Sequence, residues 1–557
     1  MESVALSLSG GGFRASLFHI GALMKLAETG LLQRTTTLST VSGGSIIGML
    51  YYLHLKYLLE TKSDIQPEDL IDVVKNVDKE FRKAMKKDII FLPFRKKSAK
   101  MLEASFKTSL TRTNILSEIY QEEIYKNIWN KIVDFWKSQS NRPEEWKDVD
   151  KDSSPYLNRL KIYPKSVFEN GSLDYDSFHY EKHYNQLNFP IKIPDLVINS
   201  TNLNTGKLWR FSATKFGEYL SLTEIFSQKE IRKKFEELCQ QKEFIALRSK
   251  YGLEKLIDLH TGKEDLEQFY NQNNLRQIFS SVDEFKNGLK DFLNFLLRFR
   301  DEHLYDYKDI SKQRITIGEA VASSACVPGV FAPFVYEDKG KKYVEIYGEN
   351  VENIKLVDGG VYDNQGLESV YRKFTKRKIR TGKNENLGLV FCSDASGQMN
   401  VDKVGSMSVK VVSRSTEVQG DRLRLLTINK LYEEKNQEFL KFILIHLKQY
   451  VKKPIKEPPI LFPEDLAELN SRIRTHLNIF WDEEINSLIV HGYALSEYYL
   501  YRFVPEEINE ISLDFRTNIL KIYSDIQNRK EFYKKILRAS QSKLSTIKIF
   551  FIKKFFV

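Results

Sequence analysis

Ser9-Gly10-Gly11-Gly12-Phe13-Arg14 follows the short apolar run Val4–Leu8 and opens an apolar segment of helical length. Further on, Thr35–Val41 is β-branched and apolar, and Ser42-Gly43-Gly44-Ser45 leads into a second strongly apolar helical segment. A strand, a glycine turn, a helix, a strand, a tight turn and a helix form the usual opening of an α/β fold with a parallel sheet. We therefore predict this fold, with Ser45 at the sharp second turn.

Length and charge narrow the classes of function. The chain has 557 residues, of which 42% are hydrophobic and 29% charged, so a globular protein with one large domain or two to three units is expected. The formal net charge of +11 is uneven, because residues 529–557 hold nine Lys and Arg residues against one acid. This localisation indicates a basic tail, and no nucleic-acid partner is expected.

The three cysteines and the N-terminal sequence indicate the cellular compartment of the protein. Cys239, Cys326 and Cys392 are far apart and form no CxxC pair, which argues against a disulfide framework or a zinc site and fits a reducing compartment. No signal peptide is visible, and no apolar run reaches the roughly eighteen residues needed to span a bilayer. The prediction is a cytoplasmic protein.

Two polar, Lys-rich helical stretches, about 67–187 and 219–310, interrupt the α/β pattern. We predict a first domain over 1–400 that carries both insertions, followed by a helical C-terminal region over 401–557 with a basic, aromatic tail. The insertions are long for a small enzyme, and the sequence leaves open a lid, a homo-oligomer surface or a site for a regulatory partner.

The glycine loop has two readings. Gly10-x-Gly12-x-x-Ala15 fits the dinucleotide-binding fingerprint, which also needs an acidic residue at the end of the second strand. That strand ends in Val41-Ser42-Gly43, and the nearby acid Glu28 lies on the helix. The nucleotide reading therefore fails, and the same amides are predicted to hold an oxyanion at a helix N-terminus.

A nucleophilic serine needs a base. Ser45 follows only the second strand, which is too early for the Ser-Asp-His order of α/β hydrolases. His446, His476 and His491 lie in patterns interpreted as helical and are expected to be packing or surface residues. Asp358, at a strand end before two glycines, is the better candidate because a carboxylate can accept a hydroxyl proton directly. An ordinary Asp-Gly-Gly turn is the alternative left open.

Together, four motifs in order resemble the patatin-like phospholipases. They are Ser9-Gly10-Gly11-Gly12-Phe13-Arg14, Val41-Ser42-Gly43-Gly44-Ser45, Ala322-Ser323-Ser324-Ala325-x-x-Pro328-Gly329 and Asp358-Gly359-Gly360-Val361-x-x-Asn364. The resemblance implies a catalytic dyad of Ser45 and Asp358. It also implies an oxyanion hole from the Gly10, Gly11 and Gly12 amides with Arg14 beside it, and no metal or other cofactor. Ile47 departs from the glycine frequent in the family two residues after the nucleophile.

The resemblance further implies a three-layer fold with a central, mainly parallel sheet, and a phospholipase A type of lipid acyl hydrolase acting through an acyl-serine. Its substrate would be a phospholipid or another acyl lipid. Some members of the family act as membrane-degrading effectors in bacterial defence, and that role is left open. The alternatives are a hydrolase of soluble esters or thioesters and a non-catalytic membrane-binding module of the same fold.

A lipid substrate requires contact with a membrane. The tail 547–557 mixes aromatic and basic residues in the manner of an interfacial segment, and Phe94-Arg95-Lys96-Lys97 is a second candidate contact. We therefore predict peripheral membrane association. The alternatives are a terminal strand or helix docked on the body for the tail, and a solvated loop for 94–97.

Overall fold

The structure is a computed structural model. It describes residues 3–87, 112–168, 191–218, 222, 224–227, 229–303, 308–309, 314–329, 331–336, 344–346, 349–351, 353–382, 388–396, 408–436, 440–475, 478–541, 545, 548–549 and 552–553.

A mixed sheet lies at the centre of the described chain. The strand order is β12-β11-β1-β2-β3-β4-β5-β6. In addition, β10 pairs with β3, and β7 pairs with β10. The five strands from β12 to β3 run parallel, and β4, β5 and β6 extend the sheet antiparallel. The strands are β1 Val4–Leu8, β2 Thr35–Val41, β3 Asp195–Asn202, β4 Lys207–Phe211, β5 Lys215–Glu218, β6 Lys308–Asp309, β7 Phe334–Tyr336, β8 Val344–Ile346, β9 Glu349–Val351, β10 Ile354–Asp358, β11 Leu389–Asp394 and β12 Lys441–His446.

Helices account for most of the remaining described chain. They are α1 Gly12–Glu28, α2 Gly43–Thr61, α3 Asp69–Met85, α4 Arg112–Tyr120, α5 Lys126–Ser138, α6 Lys165–Phe168, α7 Glu224–Ser227, α8 Lys229–Leu238, α9 Lys242–Tyr251, α10 Leu253–Thr261, α11 Leu266–Gln272, α12 Val282–His303, α13 Ile317–Ser324, α14 Gly360–Asp363, α15 Leu367–Thr381, α16 Ser408–Asn436, α17 Glu464–Ser471, α18 Asp482–Phe503, α19 Asp514–Asn528 and α20 Lys530–Ala539.

Helices cover both faces of the parallel strands. On β1, Val4, Leu6 and Leu8 point into the large core shared with α1, α2 and α18, whereas Ala5 joins the smaller core under α15 and α16. Alternate residues of a strand point to opposite faces, so a strand buried on both sides reads as a continuous apolar run. The predicted three-layer α/β fold is confirmed.

Strands β2 and β10 meet end to end beside β3. Val41, the last residue of β2, pairs with Asn199 in parallel register, and Asp358, the last residue of β10, pairs antiparallel with the next residue, Ser200. Both strands therefore end at the same point along β3, and they reach it from opposite directions. This topology brings the residue after β2 next to Asp358.

The two insertions differ in how they pack. The described part of the first adds residues such as Leu70 and Trp146 to the large core, whereas most of the second encloses a separate core around Phe285 and Phe292. The C-terminal helices α17 to α20 pack on the large core, whereas α16 packs on the smaller one. The division into 1–400 and 401–557 stays a prediction.

One expectation about the C-terminal region is wrong. The segment Lys441–His446 is the edge strand β12 and is not helical.

Most of the predicted membrane segments lie outside the described residues. Phe94-Arg95-Lys96-Lys97 falls there, as does much of 547–557. Within the tail, Ile549 is buried and Lys553 pairs with Glu483 at 2.9 Å. Among the described helices, none combines the length and apolar character needed to cross a membrane.

Candidate active site

The strand-to-helix turn after β2 is occupied by Ser42. Its φ of 50° and ψ of −117° put a non-glycine residue in a strained conformation, and α2 begins at the next residue, Gly43. Such a backbone costs about 1–3 kcal/mol and persists where the surroundings enforce it, often at functional sites. A serine held on a sharp strand-to-helix turn is the arrangement of a nucleophile elbow.

Close packing explains the glycines that follow Ser42. A Cβ on Gly43 would lie 2.1 Å from the carbonyl oxygen of Gly12, and one on Gly44 would lie 2.2 Å from that of Leu8. The elbow therefore rests directly on the backbone of the glycine loop. Ser16 Oγ strengthens this contact by donating a hydrogen bond to the carbonyl of Gly43 at 2.6 Å.

Asp358 is buried beside the turn. Its Oδ1 accepts a hydrogen bond from the Gly360 amide at 2.7 Å, and no aligned donor among the described residues reaches Oδ2. Burial raises the pKa of Asp358 to about 6, against the lowering effects of the Gly360 amide and the Ser42 hydroxyl. Ser42 is therefore close to the carboxylate but loosely aligned, as catalytic groups often are before substrate binds.

The predicted position of Ser45 is wrong. Ser45 lies in the first turn of α2, and its hydroxyl is 3.0 Å from Thr40 Oγ1 and 2.9 Å from Ser324 Oγ. No hydrogen bond within the described chain joins it to Asp358. The apolar pattern predicts a helix that begins at Ile46, three residues after its observed start at Gly43, and this places the turn too late.

The glycine loop joins β1 to α1 and presents free amides. Gly11 and Gly12 have positive φ values of 136° and 61°, which favour glycine. Among the hydrogen bonds of the described residues, none engages the amides of Gly11, Gly12 or Gly43. The Gly10 amide, in contrast, donates to the carbonyl of Asn364 at 2.9 Å, so in this arrangement it is not available to an oxyanion.

The Arg14 side chain also departs from its predicted place. Its guanidinium donates to the carbonyls of Ser471 at 2.8 Å, Ile473 at 2.9 Å and Ala395 at 3.1 Å. Burial lowers the pKa of Arg14 to about 10, against the raising effect of Asp394. Arg14 thus binds residues 471–473 to the end of β11. Its side chain is occupied by these carbonyls and does not point to the predicted oxyanion site.

The histidines considered at first as bases are placed elsewhere. His446 ends β12 and is not helical as expected, and His491 is stacked on Phe462 with ring centroids 4.1 Å apart. Burial lowers the pKa of His446 to about 4 and that of His491 to about 3. His476 lies outside the described residues. Neither described ring is hydrogen-bonded to Ser42 or Asp358.

Ser42 is the residue that the sequence reasoning missed, and the sequence carried a signal for it. Counting from Ser42, the last glycine of a G-x-S-x-G pattern is present as Gly44, and Thr40 replaces the first. The departure at Ile47 then disappears, because Ile47 is not part of the elbow.

Comparison with known proteins identifies the family of the chain. A family model described as Patatin-like phospholipase matches residues 6–371. The chain belongs to the patatin-like phospholipase family. A search of curated proteins finds no match.

Among solved structures, the patatin-like chain is similar to human GIVD cytosolic phospholipase A2, with 11% identity, a TM-score of 0.36, and coverage of 91% of this chain and 62% of that one. It is also similar to VipD from Legionella pneumophila, with 12% identity, a TM-score of 0.28, and coverage of 99% and 79%. The chain thus spans 62% of the length of the human protein.

Proposed function

We propose that the protein is a phospholipase A type of acyl hydrolase with Ser42 as nucleophile and Asp358 as base. The observation that carries this proposal is the strained Ser42 turn set against a buried carboxylate with an open oxygen. Family membership supports the lipid class of substrate.

In the first half of the reaction, Asp358 accepts the proton of Ser42, and Ser42 Oγ attacks the ester carbonyl. The free amides of Gly11, Gly12 and Gly43 are the candidate donors to the resulting oxyanion, since they belong to the two backbones that touch at the elbow. Loss of one such donor typically costs about 3–4 kcal/mol of transition-state stabilisation.

In the second half, protonated Asp358 returns its proton to the leaving alcohol, and an acyl-Ser42 remains. Asp358 then removes a proton from water, whose oxygen attacks the acyl carbonyl. The bond between the acyl carbon and Ser42 Oγ breaks, Asp358 returns the proton to Ser42 Oγ, and the fatty acid is released. The same carboxylate acts as base and acid in turn. A carboxyl with a pKa of about 6 suits both roles better than one with an ordinary pKa.

We expect the wild-type protein to release free fatty acid and lysophospholipid from phosphatidylcholine vesicles, with kcat/KM rising through an apparent pKa of about 6. The rate rises because Asp358 must be ionised to accept the proton. Mass spectrometry of the lipids over a pH series measures both. Hydrolysis of a soluble short-chain ester without release from vesicles would instead support the soluble-ester alternative.

We also propose a surface for membrane contact, the apolar face of α16 formed by Val418, Leu423, Leu425 and Leu426. These side chains are 48–51% exposed, and exposed Arg422 lies among them. An apolar helix face that carries cations suits the surface of an anionic phospholipid bilayer.

The position of α16 supports this contact. Arg424, between the exposed leucines, donates to Asp394 at 2.8 Å, and the buried Ile428 and Leu431 pack on the sheet. Asp394 is the last residue of β11, so it lies at the carboxyl end of the parallel strands, where Ser42 follows β2. Helix α16 also packs against α14, which begins two residues after Asp358. The apolar face is therefore fixed near the candidate site.

The double substitution Leu425→Asp with Leu426→Asp is expected to weaken binding to phosphatidylglycerol vesicles about tenfold or more, because it removes apolar burial and adds repulsion. Cosedimentation measures the binding. Leu238→Asp with Ile278→Asp is the matched control, since these residues are 48% and 51% exposed on the second insertion. Equal loss in both variants would argue against the α16 face.

A further inference from the structure

Ser324, the last residue of α13, contacts the elbow directly. Its Oγ accepts a hydrogen bond from the Ser42 amide at 3.0 Å and donates one to the carbonyl of Asn199 at 2.6 Å. Asn199 is also the strand partner of Val41, the residue before the turn. The Ser324 side chain thus ties the strained residue to the middle of β3.

Counting protons fixes the direction of the remaining bond. The proton of Ser324 goes to Asn199, so Ser324 can only accept from Ser45 at 2.9 Å. Thr40 Oγ1 likewise donates to the carbonyl of Val197 at 3.1 Å and can only accept from Ser45. Ser45 carries one proton, which it can donate to either of these neutral hydroxyls, and neither of them can act as a base.

The backbone of Ser324 reaches the other half of the dyad. Its carbonyl accepts a hydrogen bond from the Gly359 amide at 3.2 Å, and two residues later the Cys326 carbonyl accepts one from the Asp358 amide at 3.1 Å. Ser324 is also completely buried. Ser324 therefore holds the candidate nucleophile through its side chain, and through its main chain it holds Gly359, the residue directly after the candidate base.

We propose that Ser324 is a positioning residue that fixes Ser42 relative to Asp358, with Ser45 and Thr40 completing its hydroxyl network. The proposal rests on the Ser42–Asp358 function and extends it to a motif, Ala322-Ser323-Ser324-Ala325, that the reaction itself does not use. Small misplacements of a reacting group cost large factors in rate, so the network acts on turnover.

The neighbouring residue Ser323 provides a matched control. It is equally buried, donates to the carbonyl of Ala320 at 2.8 Å and lies 3.1 Å from Ser200 Oγ. Ser323→Ala and Ser324→Ala each remove one buried hydroxyl from the same helix end. Only Ser324→Ala removes the acceptor of the Ser42 amide. Both variants leave the main-chain hydrogen bonds around Asp358 in place.

We expect Ser324→Ala to lower kcat and the rate of fluorophosphonate labelling of Ser42 by about ten- to a hundredfold. KM and the apparent pKa of the pH–rate profile should stay at the wild-type values, because the base is untouched. Ser323→Ala should keep kcat within about threefold of wild type, while both variants lower the thermal unfolding midpoint similarly.

The proposal is overturned if both variants lose kcat equally, if Ser324→Ala keeps wild-type kcat, or if its apparent pKa shifts. Ser324→Cys is the second variant, since a thiol keeps the volume but accepts weakly, and it should also lower kcat with KM unchanged. Mapping the labelled peptide of the wild type tests the proposed dyad separately from the role of Ser324. Absence of label on Ser42 would contradict the dyad itself.

Discussion

Ser42→Ala is expected to abolish fluorophosphonate labelling and to lower ester hydrolysis by at least about a thousandfold, because it removes the attacking oxygen. The Ser42 backbone would remain in its strained turn, held by Ser324 and Asn199. Initial rates on a soluble ester, together with gel detection of the labelled protein, measure the effect.

The informative control is Ser45→Ala, three residues away on α2. It removes one hydroxyl, which can donate its proton to either Ser324 or Thr40, so a loss of about tenfold or less is expected, with labelling retained. The reverse pattern, in which Ser45→Ala eliminates labelling and Ser42→Ala keeps it, would restore the dyad first predicted from the sequence.

Asp358→Asn is expected to lower hydrolysis by at least about a thousandfold while making the protein more stable at pH 8. An amide cannot accept the proton of Ser42, but its oxygen can still accept from the Gly360 amide. The wild-type carboxyl has a pKa of about 6 when folded and 3.8 by ordinary reference. Each pKa unit corresponds to about 1.4 kcal/mol, so removing the buried charge is worth up to about 3 kcal/mol.

The pH dependence of this gain follows from the two pKa values. Because folding raises the pKa, ionisation of Asp358 costs stability progressively between about pH 4 and pH 6, and the cost is complete above that range. Asp358→Asn should therefore raise the thermal unfolding midpoint at pH 8 and leave it unchanged below about pH 4. A variant less stable than wild type at pH 8 would contradict this account of Asp358.

The sequence predicted the opening α/β elements well because their signals are local. Val4–Leu8 and Thr35–Val41 are short apolar runs bounded by glycine turns, and they form β1 and β2 with those limits. β12 was missed because Lys441–His446 is a short apolar run inside a mostly helical stretch, and periodicity alone does not separate a buried strand from a helix segment.

Errors at the site came from contacts distant in sequence. Gly43 and Gly44 are poor helix formers, so the helix was expected to start after them, but contact with Gly12 and Leu8 requires glycine in the first helical turn. The family resemblance implies a place for Arg14 beside the oxyanion, and the local sequence gives no sign of its carbonyl partners at Ser471 and Ile473, which are more than 450 residues away in the chain. The position of Asp358 at the end of a strand could be predicted because an apolar run before two glycines is a local pattern.

The end-to-end meeting of β2 and β10 has a consequence for synthesis of the protein in the cell. Ser42 leaves the ribosome early, whereas Asp358 follows much later, and Thr475 and Ile473, which press on the glycine loop and bind Arg14, come later still. A chain that ends before Ile473 therefore lacks the candidate base, the support of the candidate oxyanion amides, or both. We expect such prematurely terminated chains to show no ester hydrolysis.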